Sequence, residues 1–241
     1  MSYFKLARAV GSTARNGINV VRLQRNGIDP IAHPQGRQAF KEWAQELCRI
    51  FETRIHIFGE PIETTAGLFV GNHASYLDIP VICSLEPVSF VAKAEMQKWP
   101  IFGKVGDALG TIWHNRKDGN SRKSTAENIK LAVQEGKRVC VFPEGTTSLR
   151  GLPWRTGVFN VAHEVGASLQ PFSIYYRPAH LAAFEDPSML KHSLALNSEG
   201  HLDVYLTVGP SITVKDPVKD CQEWERWNKS ILHKALESQG L

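Results

Sequence analysis

In the stretch Gly71-Asn72-His73-Ala74-Ser75-Tyr76-Leu77-Asp78 an imidazole and a carboxylate stand five residues apart. An imidazole held by a carboxylate has a fixed tautomer and a stabilised cation, which makes it a competent general base near neutral pH. On one regular helix, residues five apart diverge by about 140°, given roughly 3.6 residues per turn. His73 and Asp78 can therefore meet only if His73 lies in the turn before a helix and Asp78 in its first turn. Ser75 and Asp78 also form a Ser-x-x-Asp capping pattern, which needs no catalytic histidine and does not exclude one.

A second group is Phe142-Pro143-Glu144-Gly145-Thr146-Thr147-Ser148, placed where the strand expected over 138–142 ends. The carboxyl ends of strands are where ligands collect in α/β sheets. A carboxylate, backbone donors and three alcohols stand together there, in a pattern that also suits a tight turn. A third group is basic: Lys93, Arg116, Arg150 and Arg155. Arginine matches phosphate or carboxylate oxygens through two parallel hydrogen bonds and lysine supplies a point charge, so an anionic head group or carrier phosphate fits them.

The elements that must position these groups follow from hydrophobic periodicity. Residues 54–60, 66–72, 88–94, 110–116, 138–142, 169–177 and 202–209 read as strands. Helices are expected over 76–85, in a stretch from Glu95 to Leu109 broken by Pro100 and Gly103, and over Trp224 to Leu236. Another, over about 125–135, is marked by a Ser124/Glu127 capping box and the stop Gly136. Strands alternating with helices give an α/β fold with a mixed, largely parallel sheet flanked by helices. Phe40, Trp43, Leu47, Ile50 and Phe51 mark a helix over about 37–52 that faces either the core or a membrane. Ahead of it, Phe4, Leu6, Val10, Ile18, Val21 and Leu23 alternate with arginines as short amphipathic helices interrupted by Gly11 and Gly17. Two parts are expected: an N-terminal helical, membrane-facing segment over 1–53 and a catalytic domain over 54–241.

Composition narrows the class. The chain has 241 residues, 42% hydrophobic, and a formal net charge of +4, which is too modest and too dispersed for a nucleic-acid binder. Four cysteines without a CxxC pair indicate neither a zinc site nor a disulfide framework and suit a reducing, cytosolic location. No apolar run reaches the roughly 18 to 20 residues that span a bilayer, and the basic start lacks the apolar run of a secretory signal. Lys5, Arg8, Arg15, Arg22 and Arg25 all precede the first acid, Asp29. Such a segment suits an anionic interface, so a peripheral position on the inner face of the plasma membrane is expected.

Taken in order, the blocks resemble those of the glycerolipid acyltransferase superfamily, whose members include the lysophosphatidic acid acyltransferases. Asn72, His73, Ser75 and Asp78 match its first block. Residues 110–116, ending in Arg116, match the second, Phe142 to Ser148 the third, and Pro171 the fourth. The stretch between the first and second blocks is similar too, which adds Lys93 to the site. The resemblance implies that His73, oriented by Asp78, deprotonates an acceptor hydroxyl that attacks an acyl thioester. It assigns Arg116, Glu144 and Gly145 to acceptor binding and places the acyl chain in an apolar groove or tunnel; Thr146 of the third block joins the expected substrate-binding residues, as does Arg155 from the basic group. No metal and no cofactor is implied; the co-substrate is an acyl carrier protein or coenzyme A thioester, and the acceptor a lysolipid taken from a membrane surface.

At one position the third block departs from the pattern. Many lysophosphatidic acid acyltransferases carry arginine where this chain has Thr147, whereas relatives that acylate lyso-ornithine lipids resemble it there. Lysophosphatidic acid is the first acceptor expected and lyso-ornithine or another amino-acid lysolipid the second. Two other classes compete: a hydrolase with Ser75 as nucleophile, and a non-catalytic lipid-binding protein.

Overall fold

The computed structural model describes residues 2–64, 67–99, 102–115, 121–182, 192 and 200–240. It opens with two helices, α1 (Ser2–Arg25) and α2 (Pro34–Ile50), followed by β1 (Thr53–Gly59), β2 (Gly67–Gly71), α3 (Asp78–Leu85) and β3 (Ser89–Lys93). A 3-10 turn (Ala94–Lys98), α4 (Phe102–Ala108), β4 (Ile112–His114), α5 (Ser121–Gln134), β5 (Arg138–Val141) and α6 (Gly157–Val165) come next. The chain continues through β6 (Ser168–Arg177), α7 (Ala179–Ala182), β7 (Leu202–Val208), β8 (Ile212–Thr213) and α8 (Pro217–Glu237).

The strands make one sheet of eight in the order β1-β7-β6-β2-β5-β3-β4, with β8 also on β6. Pairing is parallel except where β6 meets β7 and β8. In central β2 every residue is buried, as expected for a strand covered on both faces. Alternation along it separates two cores: Phe69 joins a cluster with α1, α2, α3 and α4, whereas Leu68 and Val70 join one with α5, α6 and α8.

α1 corrects the expectation of short broken helices: it is one helix of 24 residues that runs through both glycines. A side chain at Gly17 would collide with Val105 on α4, so this glycine permits a close crossing that repays its poor helix propensity. Ala9, Ser12, Thr13, Gly17 and Val20 form the buried face of α1, while Phe4 and Ile18 are 67% and 68% exposed. α2 settles its two options toward the core, since Phe40, Trp43, Leu47 and Ile50 are all buried.

Two helix starts also differ. α5 begins at Ser121, so Ser124 lies inside it and donates its hydroxyl to the Ser121 carbonyl, leaving no capping box at 124–127. α8 begins at Pro217, seven residues before Trp224, because Asp216 caps it by accepting from the Val218 and Lys219 amides.

Candidate active site

β2 delivers its last residue, Gly71, to the carboxyl edge of the sheet, and the chain turns through residues 72–77 before α3 begins at Asp78. The turn is pinned from below. The Asn72 amide donates to the Ile174 carbonyl at 2.8 Å and its oxygen accepts from the Ile174 amide at 2.9 Å, a side chain pairing with the neighbouring strand in place of backbone. Asn228 on α8 donates to the same oxygen at 3.1 Å and to the Phe172 carbonyl at 2.9 Å.

With the turn fixed, His73 Nδ1 lies 2.7 Å from Asp78 Oδ2, which meets the condition that His73 precede the helix. The same oxygen accepts from the Ala74 amide at 2.8 Å and the Ser75 amide at 3.1 Å, and Oδ1 accepts from the Tyr176 phenol at 2.5 Å. Asp78 has no solvent exposure, and hydrogen bonds to protein groups stand in for the water that burial removes from its carboxylate. His73 keeps a partly exposed ring, stacked on Phe142 with centroids 4.0 Å apart and planes 9° from parallel. Nδ1 is committed to Asp78, so any proton exchange by this imidazole would fall to Nε2. Ser75 is completely buried and its hydroxyl accepts from the Leu77 amide, so it is closed to nucleophilic attack.

Glu144 crosses from the loop after β5. One oxygen accepts from the His73 amide and the other from the Leu152 amide, both at 3.0 Å. The Ser148 amide in turn donates to the His73 carbonyl at 2.8 Å, so the first and third sequence blocks are laced backbone to backbone. Burial pushes the Glu144 carboxyl up to about 7, against the pull of its two amide donors; nearby Asp78 adds to the rise and Lys229 opposes it. Gly145 takes a positive φ of 74° and donates its amide to the Phe142 carbonyl, closing the turn that brings Phe142 beneath the imidazole.

Of the other expected site residues, Thr146 is half-buried beside Gly145. Arg155 is exposed, with its backbone amide on the Pro143 carbonyl at 3.2 Å. Lys93 is exposed at the end of β3, its Cα paired with His114 on β4. Arg116 lies outside the described residues. Residue spacing gave no hint of Tyr176, which is 98 residues from Asp78. Its only forward signal is the apolar alternation of Phe172, Ile174 and Tyr176 on one face of β6.

Next to the turn lies a cavity of about 250 Å³, walled almost wholly by apolar groups. α1 gives Leu6, Ala9 and Val10; α2 gives Trp43; Ile79 and Leu109 close other sides. Two of its polar groups are satisfied internally, since Trp43 Nε1 donates to the Thr13 hydroxyl, which donates to the Ala9 carbonyl. Phe90 lines the cavity and stacks on Phe142 at 6.1 Å, so an aromatic path joins the cavity to the imidazole. Among the described residues no group of three or more His, Cys, Asp or Glu could hold a metal ion, and no helix is long and apolar enough to cross a membrane.

Comparison with known proteins gives three kinds of likeness. The sequence profile of the Acyltransferase family matches residues 54–175. A lyso-ornithine lipid O-acyltransferase of Brucella abortus is 32% identical over 189 residues, 70% of each chain. Another, from Pseudomonas aeruginosa, is 35% identical over 150 residues, 60% of this chain and only 56% of the relative. A 1-acyl-sn-glycerol-3-phosphate acyltransferase of Neisseria gonorrhoeae is 39% identical over 115 residues, 45% of this chain and 44% of the relative. The crystal structure of the 1-acyl-sn-glycerophosphate acyltransferase PlsC from Thermotoga maritima superposes with a TM-score of 0.67 over 96% of this chain and 97% of that one; at 17% identity it speaks for the fold.

Proposed function

Since the chain belongs to the acyltransferase family, we propose that it moves a fatty acyl group from a thioester donor to the hydroxyl of a lysolipid. The observation that carries this reading is the 2.7 Å contact of His73 Nδ1 with buried Asp78, in a turn whose Tyr76 and Leu77 line an apolar cavity. His73 Nε2 takes the acceptor's hydroxyl proton as the oxygen attacks the thioester carbonyl. Asp78 stabilises the imidazolium so formed. The tetrahedral intermediate then collapses, the carbon–sulfur bond breaks, and imidazolium returns the proton to the leaving thiolate. No acyl-enzyme is needed, and buried Ser75 offers none.

The cavity suits the acyl chain, because each methylene moved from water into an apolar site contributes about 0.8 kcal/mol. Glu144 acts on the acceptor through the backbone it holds, fixing the His73 turn against the 151–155 loop that carries Arg155. Lys93, Arg116 and Arg155 supply charge for the head group or the carrier's phosphate. Lysophosphatidic acid is the first acceptor to assay. Lyso-ornithine lipid is the second, favoured by Thr147 in the third block and by the Brucella and Pseudomonas relatives. Acyl carrier protein and coenzyme A thioesters both fit as donors.

The exposed face of α1 presents Phe4, Arg8, Arg15, Ile18 and Arg22 at helical spacing, which suits peripheral seating on an anionic bilayer at the inner face of the plasma membrane. The test is one labelled acyl thioester offered with a panel of lysolipids, following both acylated product and free fatty acid. Acylated lysolipid supports the reading. Fatty acid release with every acceptor ignored would make the protein a hydrolase, and vesicle binding without turnover would make it a lipid-binding protein.

A further inference from the structure

We infer that Tyr176 is a positioning residue for acyl transfer, its phenol holding the Asp78 carboxylate in the setting from which Asp78 aims His73. The inference rests on the reading of His73 as base.

Among the described residues, Asp78 Oδ2 takes its three donors from within its own turn: His73 Nδ1 and the Ala74 and Ser75 amides. Oδ1 takes its donor from the far side of the core, the Tyr176 hydroxyl at 2.5 Å. The two sources differ in rigidity. The turn is a connection between β2 and α3, whereas Tyr176 sits on β6, hydrogen-bonded to β2 on one side and β7 on the other. β6 outruns β2: Gly71 is paired with Phe172, and five more residues of β6 follow. Tyr176 shares the face of Phe172 and Ile174 and so comes under the turn that continues β2.

Tyr176 is 2% exposed, and burial first, then the charge of Asp78, pushes its phenol well above the ordinary range. At any working pH it is therefore a neutral donor that can only give its proton to Oδ1. A phenylalanine there would keep the ring in the core and leave one oxygen of a buried carboxylate without a partner, the costly half of a broken hydrogen bond. The groups facing Asp78 are His73 from the turn, Glu144 from the loop after β5, the Cys140 thiol on β5 and Tyr176 itself. Removing the donor that Oδ1 takes from β6 leaves more of the Asp78 charge to the imidazole, so the His73–Asp78 pair binds a proton more tightly, whichever atom carries it. A residue that merely filled space would not change that.

The test uses the full chain with Tyr176→Phe, its fold checked by circular dichroism and thermal unfolding. Expected are a fall in kcat of about tenfold or more with KM for donor and lysolipid held within about twofold, and an acid limb of kcat/KM moved to higher pH by about one unit. The titration of His73, followed by nitrogen NMR of labelled histidine, should move in the same direction. This readout needs no turnover, so it decides the role of Tyr176 even if no lysolipid is acylated and the functional reading falls. Unchanged kcat and unchanged titration, with or without a lower melting temperature, would overturn the inference. Should Tyr176→Phe not fold, tyrosine-labelled wild type must show a slowly exchanging, strongly downfield phenol proton that responds to the titration of His73. Its absence would contradict the inference equally.

Discussion

The carboxylate of Asp78 has two tasks that one substitution separates: it orients the imidazole as an anion, and it accepts backbone amides at the start of α3. Asp78→Asn keeps an acceptor oxygen but cannot stabilise imidazolium. We expect turnover to fall by about 10²- to 10⁴-fold in initial-rate assays while circular dichroism stays native; near-full activity with only a lower melting temperature would confine Asp78 to capping. Glu144 gives a prediction with a definite sign. Its ordinary value is 4.5 and its folded value about 7, so the native state binds the proton more tightly than the unfolded chain. The stability this contributes is complete below the unfolded value and is lost as pH rises through the folded one. The melting temperature of the wild type should therefore decline between about pH 5 and about pH 8 more steeply than that of Glu144→Gln, which has no proton to lose. Parallel curves would contradict this. The residues of this site were unequally legible. His73 and Asp78 are five apart and announce themselves, whereas Tyr176 and Asn228 reach the turn only because β6 and α8 pack beside it, and sequence spacing cannot express that.

Elements were legible where a local pattern decides them. Buried β2 and the Val139–Val141 part of β5 read directly as apolar runs, because a strand covered on both faces has no polar alternation to confuse it, whereas β6 is marked by the alternation of Phe172, Ile174 and Tyr176. Helix ends were less so: the Ser124/Glu127 pattern falls inside α5, and the Asp216-Pro217 capping signal stands well ahead of the tryptophans whose spacing marks α8. Gly11 and Gly17 predict a broken α1 because glycine weakens an isolated helix, yet tertiary contact decides here, with Gly17 pressed against Val105 of α4. Gly17→Leu is accordingly expected to destabilise the protein by about 1 to 3 kcal/mol through overpacking, read from urea unfolding. The same change at Gly11, where an added Cβ would meet nothing within 4 Å, should be close to neutral or stabilising. Equal effects at both positions would show that helix propensity alone governs α1.

At the scale of the whole molecule, α1 serves two surfaces: its inner face helps to wall the cavity, and its outer face carries Phe4 and Ile18 among arginines. Deleting the helix would open the core, so the membrane role is better tested by point changes. Phe4→Glu with Ile18→Glu should leave the melting temperature nearly unchanged and weaken sedimentation with phosphatidylglycerol vesicles at low salt; unaltered binding would move the contact elsewhere. His73, in the turn at the carboxyl edge of the sheet, is proposed as the base of an acyl transfer. The most direct measurement is transfer of a labelled acyl group from its thioester to lysolipid by wild type and by His73→Ala, each verified as folded. A loss of about 10²- to 10⁴-fold is expected in the variant with the fold intact, because a partly exposed turn histidine contributes little to the core. Substantial transfer by cleanly folded His73→Ala would contradict it.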